Sequence, residues 1–93
     1  MAQVTGKVIA HLEKVEGENE KGAWVRGGVL LQTLDDRPRM LAVKAFGSER
    51  VALLESLKQG EVVVLEYRPE SREFQGQWYT DLYCTNVLRT QFA

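Results

Sequence analysis

The sequence predicts an all-β fold, a small five-stranded Greek-key barrel with one α-helix between strands three and four. Three observations predict it. Apolar and polar residues alternate with a period of two over several segments, as in strands with one buried face. Only the segment between residues 48 and 60 carries apolar residues at helical spacing. The 93 residues suffice for one compact core, expected as a single domain over 1–93, and are too few for two domains in tandem.

The first strand is expected over 4–15, with Val4, Gly6, Val8, Ala10 and Leu12 on one face and Thr5, Lys7, His11 and Glu13 on the other. Gly17-Glu18-Asn19-Glu20-Lys21-Gly22 has the polarity and the two glycines of a loop. Residues 23–34 read as a second strand interrupted by Gly27-Gly28, a pair that marks a bulge or the sharp bend a closing barrel needs. Asp35-Asp36-Arg37-Pro38 supplies turn chemistry. Residues 39–46 then alternate, Leu41, Val43 and Ala45 against Met40, Ala42, Lys44 and Phe46.

Ser48 can cap the helix, Glu49 suits its first turn and Lys58 its last, and Gly60 stands where a left-handed C-terminal cap is expected. Val51, Leu54 and Leu57, with Leu53, form the stripe that covers the sheet. Residues 61–68 are a β-branched fourth strand around Val62-Val63-Val64, and Gln75-Gly76-Gln77 is a short hairpin turn. The fifth strand, 78–88, points Thr80, Leu82 and Cys84 inward. Five strands with a single helix between the third and fourth is the plan of the OB-fold, which binds oligonucleotides or oligosaccharides on one face. Other small barrels share the pattern.

Composition narrows the function. Hydrophobic residues make up 44% and charged residues 27%, the balance of an ordinary globular chain. No apolar run approaches the roughly 18 residues of a membrane span, and Met1-Ala2-Gln3-Val4-Thr5 lacks the layout of a signal peptide, so a cytoplasmic protein is expected. Cys84 and His11 are the sole residues of their kinds, which leaves no disulfide framework and no Cys/His metal cluster; no cofactor is expected. Reactive groups that converge on a catalytic site are missing too, so the chain reads as a non-enzyme. Net charge is −1, but one lysine faces four glutamates over 11–20, while six basic residues face three acidic ones over 21–50. The middle of the chain is locally basic.

The segment Phe46-Gly47, a helix of about twelve residues, Lys58-Gln59-Gly60, then Val63-x-Leu65-Glu66 and Arg72-Glu73-Phe74, resembles the bacterial single-stranded DNA-binding protein family. The two run together without a gap from Phe46 to Phe74, and Tyr79-Thr80 matches that family's opening of the last strand. The likeness is good over 40–88 and reduces to a strand-loop-strand pattern before Gly22. Glu70-Ser71-Arg72-Glu73-Phe74 and Trp78-Tyr79-Thr80-Asp81 look most like a small stand-alone, single-domain branch of these proteins. The resemblance implies a non-catalytic protein that binds single-stranded DNA, or RNA, as a homodimer or homotetramer.

The resemblance also implies that Phe46 and Phe74 stack on unpaired bases. Stacking needs no particular sequence, because every base has a π-face, and nearby cations neutralise phosphates. Strand parity turns Phe46 outward with Lys44; packing over the rim onto the helix is the alternative. Phe74 falls at a hairpin tip, where a contact with another subunit is the alternative. Trp24 and Arg26 share one strand face and suit a base and a phosphate, or Trp24 closes one barrel end. Trp78, opposite the turn from Phe74, belongs either to the interface or to a cross-strand aromatic pair. Arg26, Lys44, Arg68 and Arg72 are the expected phosphate contacts.

Departures from the family are specific. Met40 and Ala42 stand where larger members have Trp and Arg, Tyr67 replaces a usual glycine, and only Arg89-Thr90-Gln91-Phe92-Ala93 follow Leu88, without an acidic-tipped tail. A protein-interaction or homo-oligomerisation module that does not bind nucleic acid is the competing expectation.

Overall fold

The structure, a computed structural model, describes residues 2–89, with only the backbone of Arg89; the C-terminal expectation for 90–93 lies outside the described residues. Its elements are β1 (Ala2–Asn19), β2 (Gly22–Thr33), β3 (Met40–Phe46), α1 (Ser48–Glu55), β4 (Val62–Phe74) and β5 (Gln77–Arg89). The strands close in the order β1-β2-β3-β5-β4. All pairs are antiparallel except β3 with β5, which meet in parallel at Val43↔Leu82 and Lys44↔Tyr83 and so complete the circle. This is an OB-fold barrel with its helix between the third and fourth strands.

The core is apolar throughout: Val8, Val29, Leu31, Val43, Ala45, Val63, Leu65 and Cys84 from the strands, with Val51, Leu54 and Leu57 from the helical segment. Burying these side chains drives closure, since each of the larger ones contributes about 1.5–3 kcal/mol on leaving water. The helical stripe is seated as its spacing requires, though Leu53 faces solvent. Gly27 makes room for the helix, because a Cβ there would press on Val51 Cγ1 at 3.3 Å.

Local details differ from the sequence expectation for identifiable reasons. β1 carries the extra residues: its register with β2 shifts between Val8 and Ala10 and again between Leu12 and Val15. The first shift falls at Ile9, which is half-buried, and leaves Ala10 exposed, so the simple alternation over 4–15 breaks in the middle. The second lies opposite Gly27-Gly28, so the bulge sits across from the glycine pair. Gly28 is required by close approach instead: a Cβ would collide with the Val43 carbonyl oxygen and lie 2.8 Å from Leu12 Cδ1.

The segment 17–22 is mostly strand, with Gly17↔Trp24 and Asn19↔Gly22 paired around a two-residue turn that Asn19 Oδ1 fastens by accepting from the Lys21 N–H at 2.9 Å. Gly47, not Ser48, precedes the helix, which ends at Glu55; Lys58 lies beyond the last turn and donates its N–H to Glu61 Oε1. Gly60 has a positive φ but serves the turn into β4, donating its N–H to the Val8 carbonyl at 2.7 Å.

Candidate nucleic-acid interface

Two hairpin arms extend past the closed part of the barrel and flank a groove. One is the outer part of β1–β2, residues 15–25, where β2 has run past the end of β3. The other is the outer part of β4–β5, residues 69–81, paired among the described residues only to itself around Gln75-Gly76, whose φ values of 50° and 81° give the twist of a tight hairpin turn. The floor between them is the end of β3. Leu12, Glu13, Asn19, Trp24, Arg26, Lys44, Phe46, Arg72, Asp81 and Tyr83 line this cavity, of about 660 Å³.

The rings on the β1–β2 side are held in place. Trp24 lies flat over Gly17, its cross-strand partner: a Cβ on Gly17 would collide with the indole, with Cε2 at 2.7 Å. Phe46 stacks beside it, with centroids 6.4 Å apart and planes inclined by 15°. Arg26, paired across the sheet with Phe46, sets its guanidinium 5.7 Å from the Trp24 centroid, within cation–π range. The backbone fixes where this cluster sits, because the Gly47 N–H bonds to the Val25 carbonyl at 2.9 Å and ends β3 against β2. Phe46 remains 58% exposed. It stacks on Trp24 and keeps the rest of its surface in water.

Electrostatics divides the cations. Lys44 Nζ donates to Asp81 Oδ1 at 3.0 Å, and Arg72 Nε lies 3.8 Å from Asp81 Oδ2, so one carboxylate joins the groove floor to the β4–β5 arm. Asp81 is only 17% exposed, which strengthens its hydrogen bond to Lys44 relative to an open surface pair, while the longer contact to the exposed Arg72 is more screened. Arg68 pairs with Glu70 at 3.3 Å. Arg26 has no carboxylate within 4.0 Å among the described residues. Cys84 is sealed below, its thiol pushed up from the usual range by burial.

Of the residues singled out from sequence, Trp24, Arg26, Lys44, Phe46 and Arg72 come together in the groove. Phe74, 61% exposed, extends the sheet face of Arg72 and Tyr79 toward the hairpin tip. Arg68 shares that face nearer the barrel, opposite Tyr83, but does not line the cavity. Trp78 faces the other way: its partner is Glu73, while Phe74 pairs with Gln77, and successive strand residues point to opposite sides. The cross-strand Phe74–Trp78 pair is therefore not formed, and Trp78 is 70% exposed. The sequence reading does not single out Tyr83, Asp81 and Glu13, nor Leu12, expected on the core face, and Asn19, expected in a loop. Parity holds a signal for two of them: Leu82 and Cys84 turn inward as expected, which puts Asp81 and Tyr83 on the groove side, whereas Thr80, expected inward, is exposed because the arm there has only two strands and no core beneath it.

The family model described as "Domain of unknown function (DUF3127)" matches residues 3–87. No curated protein matches the chain. Among solved structures, the SSB domain of a protein from Synechococcus sp. superposes with a TM-score of 0.65 at 19% identity, covering 92% of this chain and 90% of that one. A small single-stranded DNA-binding protein from Streptomyces coelicolor gives 0.58 at 19% identity, with 97% and 91% covered. The similarity is one of fold.

Proposed function

We propose a function for this chain, which belongs to the DUF3127 family: it is a non-catalytic protein that binds single-stranded DNA or RNA in the groove between its hairpin arms. The observation that carries the proposal is the Trp24–Phe46 stack, seated on Gly17 and open to solvent, with Arg26 beside it. Flat rings held in fixed orientation accept bases at little ordering cost, and each base stacked contributes about 1–3 kcal/mol. The groove lies on the face of strands two and three, between the β1–β2 and β4–β5 connections, which is where this fold binds oligonucleotides. Two proteins of like fold are named for single-stranded DNA or for its binding domain.

In this reading Trp24, Phe46 and Tyr83 meet bases in the groove and Phe74 meets one at the arm. Arg26 takes the nearest phosphate. The non-catalytic reading is supported by the placement of the two rarest reactive side chains: Cys84 is buried in the core with its thiol protonated, and His11 is exposed on β1. No helix among the described residues is long and apolar enough to cross a membrane.

The test is tryptophan fluorescence during titration with oligothymidylate and its ribonucleotide counterpart at roughly 50 mM salt. Saturable quenching that persists in Trp78→Phe is expected, because Trp24 then reports alone. Absence of quenching with both polymers overturns the proposal.

A second reading, a protein-interaction or homo-oligomerisation module, is favoured by Trp78, whose exposed ring faces away from the groove. Light scattering on wild type and Trp78→Ala distinguishes it: a homodimer or homotetramer that falls to monomer on removing Trp78 supports this reading.

A further inference from the structure

We propose that Asp81 is a built-in competitor for backbone phosphate, occupying the anion position between Lys44 and Arg72 and leaving Arg26 as the groove cation open to nucleic acid. The inference rests on the reading of the groove as a single-stranded nucleic-acid site, and deepens it by assigning which cations meet phosphate.

The geometry is that of an occupied site. Asp81 presents one oxygen to Lys44 Nζ at 3.0 Å and the other toward Arg72 Nε at 3.8 Å, from a side chain largely withdrawn from water. A carboxylate and a phosphodiester each bring one negative charge, shared over two oxygens that accept from the same donors. Asp81 is attached to the strand between its two partners, so its effective concentration exceeds that of any free phosphate. A nucleic-acid phosphate gains Lys44 and Arg72 only by displacing a tethered anion of its own charge. Arg26 faces no such rival among the described residues. Binding by the wild type therefore draws on its rings more than on counterion release.

Two consequences are measurable. The wild-type salt dependence should be shallow, near one phosphate contact or about 0.7 in the slope of log affinity against log salt. Asp81→Asn keeps the side-chain shape and an acceptor for Lys44 but removes the charge. It should steepen the slope toward three contacts and raise affinity at roughly 50 mM salt by about tenfold per released cation.

The experiment measures anisotropy of a labelled oligothymidylate of roughly 20 nucleotides, longer than the 4–16 nucleotides an OB barrel covers, against the full chain over roughly 50–200 mM salt. Glu55→Gln removes an equal charge from the Lys14 pair, away from the groove lining, and should leave slope and affinity near wild type. Adding Lys44→Gln and Arg72→Gln to Asp81→Asn should return the slope to that of the wild type. Lys44→Gln with Arg72→Gln on its own should leave the wild-type slope unchanged, a readout that does not depend on Asp81→Asn folding.

A steeper slope and tighter binding in Asp81→Asn, reversed by loss of the two cations, supports the proposal. Equal changes in Asp81→Asn and Glu55→Gln overturn it, as does weaker binding by Asp81→Asn or a slope that falls when Lys44 and Arg72 alone are removed; each leaves the base-stacking reading standing. No binding by wild type or Asp81→Asn at the lowest salt overturns both.

Discussion

The β1–β2 and β4–β5 arms are built from the same material, two antiparallel strands and a two-residue turn, yet they hold their aromatic rings in opposite ways. On the β1–β2 arm Trp24 rests on Gly17, stacks with Phe46 from a third strand and lies under a guanidinium. On the β4–β5 arm Phe74 and Trp78 point to opposite faces and stay mostly in water. The cause is the third strand. β3 ends alongside Arg26 and brings Phe46 to the base of one arm, whereas residues 69–81 run beyond all other strands. A two-stranded ribbon alone offers rings no lateral support, so the arm that Phe46 joins presents a preformed platform and the other presents rings backed only by their own hairpin.

The change that most directly breaks this contrast is Gly17→Ala. The new Cβ takes the place of the Trp24 ring, which must lift from its seat and leave Phe46. Affinity for oligothymidylate should fall by about ten- to a hundredfold, the contribution of at least one stacked base. The loss should come with a shift in the tryptophan emission of the unbound protein. An affinity within twofold of wild type would show that the seat is irrelevant to binding.

Phe46→Ala is expected to come next, removing one stacking surface while leaving Trp24 seated. Affinity should drop by about five- to tenfold, and the melting temperature should move by only a few degrees, since the ring is more than half exposed. A melting temperature that collapses would return Phe46 to the core. Phe74→Ala should cost less, roughly two- to fivefold, because a ring on an unsupported arm must be ordered on binding and gives back part of its stacking energy. Its stability should match wild type. Trp78→Ala should have the smallest effect on nucleic-acid binding, within about the ±0.5 kcal/mol of an uninvolved surface site. If it weakened binding as much as Phe46→Ala, the nucleic acid would have to wrap both faces of the arm.

Much of the barrel is legible from local pattern. The alternation over 39–46 puts Val43 and Ala45 inside and Lys44 and Phe46 outside, as found, because β3 carries no bulge. The helical stripe of Val51, Leu54 and Leu57 is equally direct. Parity fails on β1, where Ile9 reverses the faces midway, since an inserted residue changes which side follows without altering composition. It fails in a different way for Trp78, where choosing Gln75-Gly76-Gln77 rather than Gln75-Gly76 as the turn moves each ring across the hairpin.

What the chain alone determines is therefore which residues are available: an alternating barrel with one helix, a few outward rings and a locally basic centre. Tertiary structure decides which of them meet. Trp24 acquires Gly17 and Arg72 acquires Asp81 through the register of a hairpin, while Trp24 acquires Phe46 and Lys44 acquires Asp81 across strands distant in sequence, and no local period encodes either. Hairpin register is set by bulges and turns, and the partners that meet across sequence-distant strands are fixed only when the core closes the whole barrel.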